Sequence, residues 1–303
     1  MASIKNHARK SIRVILNPAA GKGNPVLKTF NKVFLDAGYE WDIALTQGSG
    51  DGRKLAQQAI AEGVDVIVAY GGDGTLMDVA SGMIGSQVPL GILPGGTGNV
   101  LSIELGIPRE IQAGLHLIVN PDLHSIAPID AGQFGDQIFF QRAGVGLEAD
   151  ILVNVSREAK DKYGIFAYIM GGLQVLTERH PVHYHLEIDG EQIESAGLAC
   201  LIANAGNLGV PGLQLDRTVN VYDGWLDVFV IRNVDLASIF SIAATVVGGV
   251  ENQGTMPHWR ARQVKVVAEP RQLIQADGEL LKISSPIDVQ IVPKAVRVIV
   301  PKG

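Results

Sequence analysis

Residues 64–84 read VDVIVAYGGDGTLMDVASGMI and contain a strand, a glycine turn and a helix in direct succession. The run 64–70 is almost continuously apolar, which is typical of a parallel strand that is covered on both faces. The turn 71–75 follows at once, and the helical spacing of apolar residues continues over 75–84. This order is the repeating unit of an open α/β sheet, whose ligands bind at the carboxyl ends of the strands.

The same alternation continues through the N-terminal third of the chain. Further strands are predicted at residues 11–16, 41–45 and 90–93, and further helices at 26–37 and 52–62. Strands that alternate with helices at this spacing indicate a doubly wound α/β domain.

Near residue 126 the pattern changes to a succession of strands that are separated by turn signals, at residues 126–134, 137–144, 182–188, 191–203 and 226–231. Two helical runs interrupt these strands, at residues 165–179 and 235–248. We therefore predict an α/β domain over residues 1–125, completed by a final strand at about 295–303. An antiparallel β domain with helical insertions is predicted over residues 126–294.

Composition excludes several classes of protein. The chain has 303 residues, of which 47% are hydrophobic, and its formal net charge of -6 argues against a nucleic-acid partner. The single cysteine, Cys200, lies in an apolar run, which fits a reducing cytoplasm. The longest uncharged apolar stretch, residues 236–250, is shorter than the ~20 residues that a membrane-spanning helix needs. We expect a cytoplasmic protein whose membrane contact is transient and peripheral.

Three glycine turns follow strands of the α/β domain. The first glycine turn is residues 17–23 (NPAAGKG), the second is 71–75 (GGDGT) and the third is 94–99 (PGGTGN). Glycine lets the backbone approach a phosphate closely, and a helix N-terminus adds N–H donors. The three turns can therefore converge on one polyphosphate, which Lys22 could also reach. Asp73 would repel phosphate unless it holds Mg2+ or takes a proton, and the alternative is that it only caps the helix.

Four blocks of the sequence, taken in order, resemble the signature blocks of the diacylglycerol kinase catalytic-domain family. This family includes soluble bacterial diacylglycerol kinases and sphingosine kinases. The resemblance implies an α/β nucleotide-binding domain and a β-sandwich domain for the lipid substrate. It also implies ATP and Mg2+ as cofactors and a lipid with a free hydroxyl group as the acceptor. The four blocks are the first glycine turn, the second glycine turn, residues 93–99 and residues 275–279.

The resemblance also implies roles for individual residues. Glu279 would be the general base on the lipid hydroxyl in the bacterial enzymes, whereas sphingosine kinases give this role to the aspartate that matches Asp73. Asp277 is the third candidate carboxylate. The alternative for residues 277–279 is a plain hairpin turn, because Asp-Gly is a strong hairpin signal. The residues assigned to ATP are Asn17, Lys22, Thr46, Gly71, Gly72, Asp73, Gly74, Thr75, Gly96, Thr97 and Asn99.

A further segment, residues 220–227 (NVYDGWLD), resembles a loop that holds a structural Mg2+ in the bacterial enzymes. Asp223 would be its side-chain ligand, together with the carbonyl groups of Asn220 and Trp225. The alternative is another Asp-Gly turn. The third glycine turn is followed by valine where bacterial diacylglycerol kinases usually have aspartate, and is thus closer to the version in sphingosine and ceramide kinases.

Two other functions stay open from the sequence. One is an NAD kinase-like enzyme, because NAD kinases share the GGDGT turn, and the other is a regulatory module that binds a nucleotide without catalysis. The apolar helical runs 163–176 and 236–250 are candidates for a lipid pocket, although such stripes more often belong to a core. The chain could also form a homodimer.

Overall fold

The computed structural model describes residues 10–23, 25–146, 181–209, 214–232 and 257–302. The helices predicted at 165–179 and 235–248, and with them the candidate lipid pocket, lie outside these residues. Contacts divide the chain into a first unit, Met1–Pro128 with Ala295–Gly303, and a second unit, Ile129–Lys294. The domain limits that the sequence suggested, at 125/126 and 294/295, stay predictions.

The strands and helices are numbered along the chain. The strands are β1 (Ser11–Leu16), β2 (Glu40–Leu45), β3 (Val66–Gly71), β4 (Leu90–Pro94), β5 (His124–Phe134), β6 (Gln137–Phe139), β7 (Arg142–Gly146), β8 (Val182–Ile188), β9 (Glu191–Gly197), β10 (Ala199–Ala203), β11 (Leu226–Ile231), β12 (His258–Ala261), β13 (Gln263–Glu269), β14 (Leu273–Ala276), β15 (Glu279–Ser284) and β16 (Ile287–Pro301). The α-helices are α1 (Val26–Asp36), α2 (Asp51–Ala61), α3 (Asp73–Gly82), α4 (Val100–Glu104) and α5 (Ile111–Val119), and Ala20–Gly23 forms a 3₁₀ turn.

The first unit is built on a parallel sheet. Its described strands have the order β2-β1-β3-β4, and the end of β16 pairs in parallel with β4 through Val298 and Leu90. All six residues of β3 are buried, as the apolar run predicts for a central strand. Helix α1 buries residues at helical spacing, Val26, Phe30, Val33 and Phe34. The α/β fold of this part of the chain is confirmed.

Helix α5 was not predicted from the sequence. Its nine residues, IQAGLHLIV, bury Gly114, Leu115, Leu117 and Ile118, but with only two polar residues the helical period is weak in so short a segment. In the structure Glu110 caps the helix, because its carboxylate accepts the N–H of Ala113 at 2.6 Å. The helix lies close to β4, since a Cβ atom at Gly114 would be 2.8 Å from Cδ2 of Leu93.

The second unit contains two antiparallel sheets. One has the order β12-β11-β10-β7-β14-β15 among the described strands, and the other joins β9, β8, β13 and the first part of β16. Strand β8 alternates between buried and more exposed residues, which is the pattern of a sheet with one face on a core. Side chains of both sheets meet in one hydrophobic core, including Val145, Ile202, Tyr184 and Val266. The antiparallel β fold is confirmed.

One strand prediction is wrong in detail. The sequence indicates a single strand from 191 to 203, but the structure has β9 and β10, which belong to different sheets. The chain changes sheets at Gly197 and Leu198. The N–H of Leu198 donates to the carbonyl of Ile231 at 2.6 Å, and a Cβ atom at Gly197 would be 2.5 Å from that same oxygen. Glycine is required there by this close approach, which the apolar pattern does not show.

Candidate active site

The carboxyl ends of four neighbouring strands bring the predicted nucleotide residues to one edge of the parallel sheet. Asn17 follows β1 and Thr46 follows β2, and each is attached to the next strand by a backbone hydrogen bond of 3.0 Å, to the carbonyls of Tyr70 and Leu16 respectively. The second and third glycine turns follow β3 and β4. Their backbones are joined where the N–H of Gly95 donates to the carbonyl of Gly71 at 2.7 Å.

The second glycine turn leads directly into a helix N-terminus. Gly72 is the N-cap residue of α3 and has an extended backbone, and its carbonyl accepts the N–H of Leu76 at 3.1 Å. The first N–H groups of a helix have no partner within the helix, and the helix dipole is positive at this end. Thr75 is buried beneath the turn, while Gly74 is exposed. This end of α3 therefore has the geometry of an anion site.

The second and third glycine turns are in backbone contact. A Cβ atom at Gly96 would be 2.6 Å from Cα of Gly72, so only glycine allows this approach. Asn99 closes the third turn in the left-handed conformation, with φ 51. Its side chain accepts the N–H of Gly96 at 3.0 Å and donates to the carbonyl of Gly96 at 2.7 Å. Thr97 lies exposed on this turn.

Asp73 links the same two turns through its carboxylate. Its Oδ1 atom accepts the N–H of Val100 at 2.7 Å, at the start of α4. Its Oδ2 atom lies toward Gly98, where a Cβ atom would be 2.9 Å away. The sequence alternative made Asp73 the cap of α3, but the N-cap residue of α3 is Gly72 and Asp73 is the first residue of that helix. The contact of Asp73 with Val100 is at the start of α4 instead, and Asp73 is half-exposed at the edge where the turns meet.

The first glycine turn is attached to the other two. The Nδ2 atom of Asn17 donates to Oγ1 of Thr75 at 3.0 Å, and its Oδ1 atom accepts the N–H of Ala19 at 2.9 Å. The N–H of Gly21 donates to the carbonyl of Gly95 at 3.1 Å. The predicted phosphate contact of Lys22 concerns a side chain outside the described part of the structure. With that exception, the residues predicted to bind ATP lie at one edge of the parallel sheet.

In the second unit, residues 277–279 form the tip of the β14–β15 hairpin. Asp277 and Gly278 have φ angles of 47 and 85, as a two-residue turn of this kind requires. The carboxylate of Asp277 accepts the backbone N–H groups of Phe140, Gln141 and Arg142 at 2.8, 2.8 and 3.1 Å. Burial raises the pKa of Asp277 to about 6, although these three donors lower it. Asp277 therefore occupies a hairpin turn, as the alternative for residues 277–279 stated.

Glu279 differs from Asp277 in its surroundings. It is the first residue of β15, opposite Ala276, and its side chain is exposed. Of the two acidic residues at the hairpin tip, Glu279 is the more exposed.

The Asp223 loop is held by side-chain contacts. Asp223 accepts the N–H of Trp225 at 3.0 Å through Oδ1, and its Oδ2 atom pairs with the guanidinium group of Arg260. The guanidinium groups of Arg260 and Arg262 lie 5.2 and 4.7 Å from the ring centroid of Trp225. Burial raises the pKa of Asp223, and the nearby carboxylates of Asp227 and Asp130 raise it as well.

A cation on the Asp223 loop would compete with Arg260 for the carboxylate. Asn220, the second predicted contributor, uses its side-chain oxygen to accept the N–H of Tyr222 at 3.0 Å. Within the described ranges, no three His, Cys, Asp or Glu side chains are arranged to hold a metal ion. The Mg2+ ligands Asn220, Asp223 and Trp225 stay a prediction.

Comparison with known proteins identifies the family. The model of the diacylglycerol kinase catalytic domain matches residues 11–132, and the model of the YegS C-terminal NAD kinase beta sandwich-like domain matches residues 142–300. The chain belongs to the diacylglycerol kinase and YegS-like lipid kinase family. The resemblance seen in the four sequence blocks is thereby confirmed, and so is a lipid kinase-like function at the level of the family.

Individual members of this family match nearly the whole chain. A diacylglycerol kinase of Bacillus subtilis is 30% identical over 89% of this chain and 90% of its own length. A Pseudomonas putida protein named "Probable lipid kinase YegS-like" is 32% identical over 88% of both chains. The crystal structure of a diacylglycerol kinase from Bacillus anthracis has a TM-score of 0.77 and 25% identity, and covers 96% of this chain and 97% of its own.

Two contacts of the predicted functional residues, one in each unit, have no signal in the sequence. The N–H of Val100 binds Asp73, but a backbone donor can come from any residue except proline. Arg260 pairs with Asp223 across 37 positions of the chain, and no local motif connects them.

Among the described residues, no helix is long and apolar enough to cross a bilayer.

Proposed function

We propose that this chain is an ATP-dependent lipid kinase, which transfers the γ-phosphoryl group of ATP to a free hydroxyl group of a lipid. The observation that supports this most strongly is the contact between three glycine turns at one edge of the parallel sheet. The turns bring the N-terminus of α3 to this edge, together with the exposed residues Gly74 and Thr97. Such a surface suits a triphosphate better than an apolar or a singly charged ligand.

The nucleotide side of the proposed reaction uses the backbone of the turns. Phosphoryl transfer depends on positioning and on neutralising the charge of the phosphates. Gly74 and Thr97 are exposed at the edge and can donate to phosphate oxygens. Asp73 is a carboxylate among these donors, and it suits Mg2+ that arrives with ATP. Bound Mg2+ would neutralise phosphate charge, and Asp73 would hold it.

The acceptor side is assigned to Glu279. Its exposed carboxylate would take the proton of the lipid hydroxyl while the hydroxyl oxygen bonds to the γ-phosphorus and the bond to the leaving ADP oxygen breaks. Asp277 is turned toward three backbone N–H groups and would hold the hairpin in shape. Asp73 is the alternative base, as in the sphingosine kinases that the sequence also resembles.

The β14–β15 hairpin also supports a transient, peripheral contact with a membrane. Three of its apolar side chains are exposed, Leu273, Leu280 and Ile283, and Lys282 lies among them. Exposed apolar groups next to a basic residue suit the surface of a bilayer. A lipid hydroxyl at that surface could then reach Glu279 without the lipid leaving the bilayer.

The test is a transfer assay with ATP labelled in its γ-phosphate, Mg2+ and one acceptor at a time. The acceptors are diacylglycerol, monoacylglycerol, phosphatidylglycerol, sphingosine, ceramide and NAD. We expect the label in at least one lipid and none in NAD. Label in NAD alone would assign the chain to NAD phosphorylation instead. ATP binding with no transfer to any acceptor would identify a nucleotide-binding regulatory module.

A further inference from the structure

The hydroxyl group of Tyr70 is not explained by the fold. Tyr70 is the last residue before the second glycine turn, and 2% of its surface is exposed. Its ring packs edge-on against Phe30, with 5.7 Å between the ring centroids. Its hydroxyl group is buried and has no hydrogen-bond partner among the residues that the structure describes. Burial raises the pKa of Tyr70, so the hydroxyl stays protonated at neutral pH and can donate.

An unpartnered buried hydroxyl lowers the stability of a protein, because it loses its hydrogen bonds to water and gains none. A phenylalanine would fill the same space and make the same ring contact without this loss. The hydroxyl of Tyr70 is therefore unfavourable in the state described by the structure. The hydroxyl would be favourable in a second state of the protein in which it makes a hydrogen bond.

The surroundings of the hydroxyl indicate where such a partner lies. A Cβ atom at Gly21 would be 1.8 Å from the hydroxyl oxygen of Tyr70, so the oxygen lies directly against the backbone of the first glycine turn. A Cβ atom at Gly95 would be 3.1 Å from Cε2 of the same ring. The backbone carbonyl of Tyr70 accepts the N–H of Asn17 at 3.0 Å. Tyr70 thus supports the first and the third glycine turns and precedes the second.

We propose that Tyr70 is a positioning residue for the nucleotide. When the first glycine turn closes on the triphosphate, the Tyr70 hydroxyl donates a hydrogen bond to a backbone carbonyl group of that turn. Because the hydroxyl already touches the backbone at Gly21, a small movement of the turn is enough. The bond exists only in the bound state, so it strengthens ATP binding and takes no part in phosphoryl transfer. This inference rests on the proposed function, since it requires a polyphosphate at the glycine turns.

Tyr70→Phe tests the inference, with Tyr39→Phe as the matched control. Tyr39 is a half-buried tyrosine of the first unit that follows α1 and lies away from the glycine turns in the chain. We expect Tyr70→Phe to melt at the same temperature as the wild type or higher without nucleotide, and to gain less from ATP-Mg2+. Its KM for ATP should rise about 3- to 10-fold, the effect of one neutral hydrogen bond. Its kcat and its KM for the lipid should stay within twofold of the wild type, as should all values of Tyr39→Phe.

Two results would overturn the inference while the proposed function stands. One is a Tyr70→Phe protein that binds ATP as tightly as the wild type. The other is a Tyr70→Phe protein that melts at a lower temperature without nucleotide, which would show that the hydroxyl is already hydrogen-bonded in the free protein. If ATP-Mg2+ stabilises neither the wild type nor the control, the proposed function fails as well, and the inference fails with it.

Discussion

Two hairpins of the second unit have identical tips, Asp189-Gly190-Glu191 and Asp277-Gly278-Glu279. In each, the aspartate and the glycine have positive φ angles, and the glutamate is exposed at the start of the next strand. In each, the aspartate carboxylate accepts backbone N–H groups from a distant segment. The tripeptide therefore specifies a hairpin shape in both places.

The two hairpins differ in what surrounds the aspartate. Asp189 is exposed and accepts the N–H groups of Arg262 and Gln263, whereas Asp277 is half-buried and accepts three N–H groups from residues 140–142. Burial raises the pKa of Asp277 to about 6. The comparison shows that the Asp-Gly-Glu motif alone does not identify a catalytic carboxylate. What distinguishes Glu279 from Glu191 is the family block in which it lies.

The largest expected effect separates the two glutamates. Glu279→Gln should lower kcat on the best lipid acceptor by ~100-fold or more, because general-base assistance is typically worth ~100- to 10,000-fold. Glu191→Gln changes the same residue at the same position of the other hairpin and should stay within twofold of the wild type. Steady-state kinetics with ATP-Mg2+ measure both. Equal activity of the two variants would remove Glu279 as the base and leave Asp73 as the leading candidate.

A second effect separates the two aspartates by stability. Asp277→Ala leaves three partly buried N–H groups without their acceptor and should lower the free energy of unfolding by about 2–4 kcal/mol. In Asp189→Ala, the N–H groups of Arg262 and Gln263 can bind water instead, so the free energy of unfolding should fall by only about 1–2 kcal/mol. Both variants place alanine at a positive φ angle, so that strain is common to both. Urea denaturation measures the difference, and a larger loss for Asp189→Ala would contradict the contrast in burial.

The smallest effect concerns pH. The pKa of Asp277 is about 6 in the folded protein and about 3.9 in an unfolded chain, so the folded state binds the proton more tightly. The stability that this proton contributes is complete below pH ~4 and is lost as the pH rises through about 6. The stability of the wild type relative to Asp277→Asn should therefore fall by about 1–3 kcal/mol between pH 4 and pH 7. A constant difference in urea denaturation across this range would show that the pKa is not raised.

The sequence predicts the parts of the molecule that depend on local pattern. The strand, turn and helix at residues 64–84 appear in the structure as β3, the second glycine turn and α3. The fold class and the family are confirmed. The local sequence pattern does not predict a feature that depends on a contact with a distant part of the chain. An example is the change of sheet at Gly197, which depends on the carbonyl of Ile231.

The same limit applies to the candidate site. The glycine turns are recognisable because each is a short motif and because parallel strands bring their carboxyl ends to one edge. The partners of Asp277 lie 135–137 positions away, and Arg260, the partner of Asp223, lies 37 positions away. The backbone at Gly21, against which the Tyr70 hydroxyl lies, also comes from another segment. The site residues are thus placed by the structure, and their roles stay predictions.

The most direct test of the account is label transfer from ATP to lipid by Gly96→Ala and Gly48→Ala. A Cβ atom at Gly96 would lie 2.6 Å from Cα of Gly72 and force the second and third glycine turns apart, whereas at Gly48 it would meet nothing within 4 Å. Misplacement of a reacting group by ~1 Å can lower a rate ~100-fold, so Gly96→Ala should lose transfer by about this factor. Gly48→Ala and the wild type should label the lipid equally well. Transfer by Gly96→Ala at the wild-type rate, or no labelled lipid with any of the three proteins, would contradict the account.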